Sequence, residues 1–344
     1  MPSIEKFHRH WFKSKEHWLE LRRSIGIGGS EIAGILGHDP YTPAPKVFYQ
    51  KLGLVPPDPD NHAMFMGRLR EPEIARIWQY YDRQVGQDSI RVNMDAGKVV
   101  RRNRLVNYLM QSRAYPWLFA SCDRIFNEKG FGRSILEIKT IRGWEANKWE
   151  TGIPTKYIFQ VQHYLAVTGF KYAELFIETD GRDYQYVPIE PSRIIIQEII
   201  DSGHEFQKRI DEARDRIAKG AKPEDIEDLV PGPDGTKAYT DFLKERYQRS
   251  SPDVVIKATD EELRLVRDFH LLRVEAEEKA AEFERIKQDL MNRMKHADKL
   301  DCGIYGYIGW KTNATGARPF NPRIKMDKLL EDTHGEVGTA PGFG

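Results

Sequence analysis

The sequence predicts an α/β (α+β) protein, a sheet with helices packed on it, followed by a C-terminal helical and β-hairpin extension. Strand-like and helix-like segments alternate between residues 118 and 190, the pattern of a layered sheet-and-helix core. A long amphipathic segment follows at 194–220. Beyond residue 258 the character changes to apolar positions three and four apart amid dense mixed charge, and then to a β-rich tail.

The 344 residues suffice for one large domain or two modest ones. With 40% hydrophobic and 31% charged residues, the chain can bury a core and keep a charged surface. The formal charge is +1, so any nucleic-acid role must rest on local patches rather than on a global field. Two cysteines, Cys122 and Cys302, make neither a disulfide framework nor a four-thiolate zinc site, which points to a reducing compartment. No apolar run reaches the roughly 18 residues of a membrane span and the N-terminus shows no apolar leader core, so a cytoplasmic protein without membrane contact is expected.

Residues 1–24 carry six Lys/Arg against three acids and form a basic entry segment. IGIGGSEIAGILG (25–37) pairs a glycine-rich turn with a short helix, with Ser30 as the expected N-cap. EPEIARIWQYYD (71–82) reads as a helix with Pro72 in its first turn. Residues 97–121 contain no acid but include Lys98, Arg101, Arg102, Arg104 and Arg113, and are expected as a basic β-ribbon. Strands are expected over 118–126 and 133–140, joined by the hairpin loop NEKGFG. A helix over 156–169, two further strands and the long helix 194–220 complete the core. Residues 221–257 read as a linker with a short helix. Residues 258–344 read as an amphipathic helix or helical hairpin plus β-rich tail.

The chemistry concentrates on Asp123 and on Glu137-Ile138-Lys139. Alternate strand residues share a face, so Ser121 pairs with Asp123 and Glu137 with Lys139, while Leu136 and Ile138 pack behind. Two carboxylates at a half-open sheet edge suit a hard divalent cation, which takes oxygen ligands at about 2.0 to 2.1 Å and retains waters. A neighbouring ammonium can orient or deprotonate a bound water, or steady charge developing on a phosphate. The competing expectation for an acid facing E-x-K is a cross-strand ion pair. Glu71, Ile74, Ala75 and Trp78 share one helical face, which puts a carboxylate on the inward stripe and leaves Glu73 off it. A helix-start carboxylate favoured by the macrodipole is the alternative for Glu71. Gln160, His163, Tyr164 and Val167 share a face of the later helix, and a buried amide beside a phenol requires partners.

In this order G-x-x-x-E at Gly67–Glu71, S-x-D at Ser121–Asp123, E-x-K at Glu137–Lys139 and Q-V-Q-H-Y at Gln160–Tyr164 resemble the YqaJ-like viral recombinases. These are the lambda exonuclease family of the PD-(D/E)XK nuclease superfamily. WLELRRSIGIGGSEIAGILGHDPY, from Trp18, also resembles the family's N-terminal signature, and the likeness covers roughly residues 11–215. It implies a restriction-endonuclease-like central mixed sheet and a nuclease domain over 1–220. It implies that Asp123, Glu137, the Ile138 carbonyl and Glu71 hold Mg²⁺, which Mn²⁺ would replace. Lys139 would activate water, Gln160 would stand close to the active site, and Tyr164 would support it. Arg22, Ser30, Ser121 and Arg142 would grip a 5′-phosphate; the Arg22–Ser30 spacing is one residue longer than the family's, which makes Arg23 the alternative. A glycine-rich turn entering a helix suits such an anion. Cys122 stands where the superfamily has proline, a position that ligates nothing.

The activity implied is 5′→3′ resection of linear double-stranded DNA for phage-type recombination by single-strand annealing. A ring-shaped trimer or tetramer, double-stranded DNA ends and an annealing protein are the implied partners, in a bacterial or phage-infected cell. An endonuclease of the same superfamily and a non-catalytic DNA-binding module are the alternatives. An intact Asp123, Glu137 and Lys139 set argues against the second.

Overall fold

The structure is a computed structural model that describes residues 5–143, 152–249, 254–313 and 315–324. The chain divides into two compact units, Met1–Ser250 and Ser251–Gly344.

The first unit holds two mixed sheets. The larger runs in the order β3 (Asn103–Leu105), β6 (Arg124–Glu128), β7 (Gly132–Ile141), β8 (Ala173–Thr179) and β9 (Asp183–Ile189). Its pairs are antiparallel except β7 with β8, which α6 (Thr155–Thr168) connects as the crossover that parallel neighbours require. The smaller sheet runs β1 (Phe7–Trp11), β4 (Tyr108–Ser112), β5 (Leu118–Ala120) and β2 (Ile27–Gly28). Alternation gives β7 two buried faces. Ile135 joins Leu175 and Ile177 in the main core, whereas Leu136 and Ile138 join Phe126, Phe176, Ile74 and Trp78 in a second cluster.

Helices cover both faces. α1 (Lys15–Ile25), capped by the Ser14 hydroxyl on the His17 amide, leads into β2 and α2 (Gly29–Ile35). α3 (Ala44–Leu52) and α7 (Arg193–Ala218) pack on α2, and α6 packs on α2, β4 and β5. α4 (His62–Trp78), capped by Asn61, lies against β7, and α5 (Asp88–Asp95) follows it. The C-terminal end of α4 is fixed by a buried carboxylate on β8: Glu174 accepts from Trp78 Nε1 at 2.6 Å and Arg101 Nη1 at 2.8 Å, and also pairs with Arg83.

Several expectations need correction. The strand expected over 118–126 is broken into β5 and β6, and Asp123 sits in the bend between them, because the two halves belong to different sheets. The basic ribbon over 97–121 is divided for the same reason: β3 pairs with β6 in one sheet, β4 with β1 and β5 in the other. The helix expected to begin at Glu71 begins at His62, so Pro72 is interior and Glu71 is not a helix-start carboxylate. Pro72 lies on the exposed side of α4, where water can serve the carbonyl left without a donor. Ser30 is not an N-cap. That position falls to Gly28, whose amide donates to Glu31 Oε2 at 2.7 Å.

The nuclease-domain boundary expected at 220 also shifts. A 3₁₀ turn at Pro223–Leu229 buries Ile226 and Leu229 in the main core, and α8 (Lys237–Arg246) packs on α3 with Ala238 and Tyr239 buried. Residues 221–249 therefore belong to the first unit rather than to a linker. In the second unit, of the amphipathic helix and the helical hairpin expected, the former is found: one continuous helix, α9 (Asp260–Met294), capped by a reciprocal Thr259–Glu262 box. The β-rich tail forms an antiparallel sheet of β10 (Lys299–Asp301), β11 (Gly306–Gly309) and β12 (Asn321–Ile324).

Among the described residues no helix is long and apolar enough to cross a membrane.

Candidate active site

β6 and β7 pair with Arg124 opposite Leu136, which brings Asp123 level with Glu137 at the start of β6. Asp123 Oδ2 accepts from the Ile138 amide at 2.8 Å, so the bend is pinned to the strand carrying E-x-K. Glu137 is 2% exposed. Its Oε1 accepts from Lys139 Nζ and from Gln160 Nε2, both at 2.7 Å, while Oε2 finds no hydrogen-bond donor among the described residues. Gln160 also donates to the Tyr164 hydroxyl at 2.9 Å, which in turn donates to the Ser121 carbonyl at 3.0 Å. The face of α6 expected from spacing thus supports Glu137, and Gln162 points elsewhere, to the Glu190 carbonyl and the Ser192 amide.

Glu71 reaches the cluster from α4. It is half-buried and forms an ion pair with Arg124, whereas Glu73 is exposed and pairs with Arg76. Arg124 also donates to the Asp123 carbonyl at 2.8 Å and is 6% exposed. Sequence reasoning missed Arg124. Its signal was its place directly after Asp123, where strand alternation turns it to the α4 side.

The electrostatics are those of crowded anions. Burial, and then the Asp123 charge, raise the Glu71 and Glu137 carboxyls above the usual range. Burial also raises Asp123, against the pull of Lys139. Burial disfavours the Lys139 ammonium, yet Glu137 and Asp123 together raise its amine above its ordinary value. Like charges brought this close are relieved by a cation. An orphaned Glu137 oxygen beside two further raised carboxylates is a donor set that fits a hard divalent ion. Among the described residues no three such side chains already surround one point: Glu71 is held by Arg124 and Glu137 by Lys139.

A second cluster adjoins the first through Ser121. Arg22 Nη2 donates to Ser30 Oγ at 2.9 Å and to Glu31 Oε1 at 3.2 Å, and its guanidinium lies over the Trp18 and Phe119 rings. Trp18 Nε1 reaches Ser121 Oγ at 3.4 Å. Three of the four residues expected at a phosphate are therefore brought together, and Trp18 is an addition. Arg142 lies exposed one residue beyond β7. Arg22, not Arg23, adjoins Ser30, and a guanidinium nitrogen of Arg23 lies near Gly53 instead. The glycines serve packing rather than an open amide cradle. A Cβ on Gly29 would stand 2.4 Å from the Tyr164 ring, so α2 approaches α6 only without one.

Glu31 and Lys51 lie beneath Arg22. Lys51 donates to the Arg22 carbonyl at 2.7 Å and pairs with Glu31 at 2.8 Å. Burial opposes ionisation of Glu31, but Lys51 and Arg22 hold its carboxyl down to about 2.

Residues 17–171 match the YqaJ-like viral recombinase domain, and every side chain of both clusters falls inside that stretch. The uncharacterized protein YqaJ of Bacillus subtilis (strain 168) is 27% identical over 336 residues, covering 93% of this chain and 92% of that protein. That likeness runs past Ser250 into the second unit, beyond the catalytic stretch expected from the motifs. Among solved structures, the alkaline exonuclease LHK-Exo from Laribacter hongkongensis is similar at 21% identity and a TM-score of 0.44, over 60% of this chain and 97% of that one. A phage-related exonuclease from Haemophilus somnus 129PT is similar at 12% identity and a TM-score of 0.36, over 56% and 96%.

Proposed function

We propose that this protein is a Mg²⁺-dependent DNA exonuclease of the PD-(D/E)XK type, resecting linear duplex DNA 5′→3′ for recombination by single-strand annealing. The observation that carries the reading is the meeting of Glu71, Asp123 and Glu137 with Lys139 inside a YqaJ-like viral recombinase domain. Asp123, Glu137, Glu71 and the Ile138 carbonyl would hold Mg²⁺, or Mn²⁺ in its place. When bound, the ion supplies charge neutralisation at the phosphate and a more acidic water.

The chain's own groups do the rest. Gln160 and Lys139 fix the Glu137 carboxylate in one orientation, and Tyr164 fixes Gln160. Lys139, held as an ammonium, stands ready to orient a water or meet charge developing on the scissile phosphate. Arg22, Ser30 and Ser121 would receive the 5′-phosphate, with Arg142 as a further donor. An arginine stacked between rings is restrained for such a contact. The proposal extends to a ring-shaped homo-oligomer around DNA, an annealing protein as partner, and a cytoplasmic setting in a bacterial or phage-infected cell.

The deciding experiment incubates the protein with linear duplex DNA bearing 5′-phosphate or 5′-hydroxyl ends and with a closed circle, with Mg²⁺ or with chelator. Mg²⁺-dependent loss of the 5′-phosphorylated linear strand, with the circle intact, is expected. Cutting of the circle would replace the reading by an endonuclease. Binding of DNA without hydrolysis in Mg²⁺ or Mn²⁺ would replace it by a non-catalytic module.

A further inference from the structure

α9 is solvent-exposed along almost its whole length, including side chains that ordinarily pay for a helix by packing. Leu265, Phe269, Leu272, Phe283 and Ile286 are each between 49% and 69% exposed. A contiguous apolar stripe of this kind marks an interaction surface. Its spacing is a heptad: Phe269, Ala276, Phe283 and Leu290 fall at a, and Leu265, Leu272 and Ile286 at d. The other a and d positions of α9 are polar, Glu262 in the first turn, Arg293 in the last and Lys279 between, where a polar residue costs stability but fixes register and a long stem can carry the charge outward.

The charges beside the stripe identify the occupant. The five g positions are Glu261, Asp268, Glu275, Glu282 and Asp289, all acidic. The e positions are Val266, Arg273, Ala280, Lys287 and Met294, basic or neutral throughout. In a parallel coiled coil each g residue meets the e residue five positions further along its partner. Asp268 then faces Arg273 and Glu282 faces Lys287, each on the opposite chain. In an antiparallel pair g meets g and e meets e, so the acids would confront one another. The present partners of these bases are surface contacts within the helix, Arg273 with Glu277 at 3.2 Å and Lys287 with Glu284 at 3.1 Å, which are weak and exchangeable.

We propose that α9 is an association helix that pairs in parallel and in register with α9 of a second copy of this chain. The self-complementary charge pattern selects that partner over an unrelated helix. The inference stands on α9 alone and does not depend on the nuclease reading.

The test uses the full-length chain in sedimentation equilibrium across a micromolar dilution series. A mass above the single-chain 40.0 kDa is expected. Phe269→Glu with Leu272→Glu should weaken association by about 10²-fold or more, since each side chain loses a burial worth that much between them. Asp268→Lys with Glu282→Lys should also dissociate it, and adding Arg273→Glu with Lys287→Glu should restore it. Those pairs are five residues apart and cannot meet within one helix, so rescue reports a contact between chains. In a Cys302→Ser background, Leu272→Cys treated with oxidised glutathione as the oxidant should form a symmetric disulfide between copies. A monomeric wild type, an assembly whose mass across the dilution series is unchanged by the Phe269/Leu272 change, failure of the charge rescue, or a Leu272→Cys protein that does not cross-link would each overturn the proposal.

Discussion

Gln160 and Glu137 are joined by a single hydrogen bond, Nε2 to Oε1 at 2.7 Å, while the other oxygen of the same carboxylate meets no donor among the described residues. The bond leaves one oxygen free and fixes where it points. Gln160→Ala should therefore lower turnover and Mg²⁺ affinity together by about 10- to 100-fold, the usual loss when a group orienting a metal ligand is removed. Tyr164→Phe, which removes the hydroxyl that accepts from Gln160, should give a smaller loss in the same direction. Calorimetric Mg²⁺ titration beside single-turnover cleavage checks both. Unchanged metal affinity in Gln160→Ala would make the amide a packing group only.

Asp123→Asn and Glu137→Gln should lower hydrolysis by orders of magnitude while DNA binding survives. The same changes should stabilise the metal-free protein. Both carboxyls are raised by burial, so their ionised forms are favoured in the unfolded chain. Their ionisation therefore removes stability as pH rises from the ordinary values of 3.8 and 4.5 up through the raised folded values. Melting temperatures in chelator should fall with rising pH in wild type and fall less in Glu137→Gln. Added Mg²⁺ should recover the loss in wild type alone.

Glu71→Ala should impair cleavage far more than Glu73→Ala, because Glu71 lies among the raised carboxylates and Glu73 pairs with Arg76 in solvent. A surface pair of that kind contributes about 0 to 1 kcal/mol. Arg124→Ala is the more informative partner. It would free Glu71 but leave a crowded anion cluster, so apo stability should drop while added Mg²⁺ restores it. Thermal melts with and without Mg²⁺ read this directly.

The features legible in the sequence were those written in periodicity. Alternation placed Glu137 and Lys139 on one face of β7 and Leu136 and Ile138 on the other. Helical spacing put Glu71 on the inward stripe of α4 and separated Gln160 from Gln162 on α6. What failed was decided by tertiary partners. The run 118–126 has the composition of one strand, yet β5 and β6 pair in different sheets, so Asp123 lies in a break that no local pattern announces. The stretch after 220 has a linker's prolines and acids, but Ile226 and Leu229 find the core. Ser30 has a capping residue's chemistry, but Arg22 takes its hydroxyl and Glu31 caps the turn.

Glu174 should be the costliest polar residue to remove outside the site. It is fully buried on β8 and receives Trp78, Arg83 and Arg101, which tie α4 and the segment after α5 to the central sheet. Glu174→Ala leaves two arginines facing an emptied carboxylate site, a loss of about 3 to 5 kcal/mol. Glu174→Gln keeps the shape and one acceptor and should lose less. Urea unfolding monitored by tryptophan fluorescence ranks the two, and near-wild-type stability for Glu174→Ala would show that the arginines find water.

Arg22 offers the sharpest test of the proposed terminal-phosphate pocket. It is the arginine that reaches Ser30, it stacks on Trp18, and Trp18 in turn reaches Ser121. Charge-assisted bonds to phosphate are strong and, for arginine, often bidentate, so Arg22→Ala should reduce cleavage on 5′-phosphorylated ends by about 10-fold or more. The slower reaction on 5′-hydroxyl ends should change little. Arg23→Ala should behave as wild type on both, because its side chain lies near Gly53. Trp18→Phe keeps a ring under Arg22 but loses the bond to Ser121, and should fall between them. Arg142→Ala should show the same end-selective loss only if that side chain turns toward a bound phosphate. Measuring the four variants on both end types at two salt concentrations separates a pocket from general backbone contact, since the latter weakens both substrates alike and flattens the salt dependence. Equal losses on the two ends for Arg22→Ala would return this arginine to a structural role, stacking between Trp18 and Phe119.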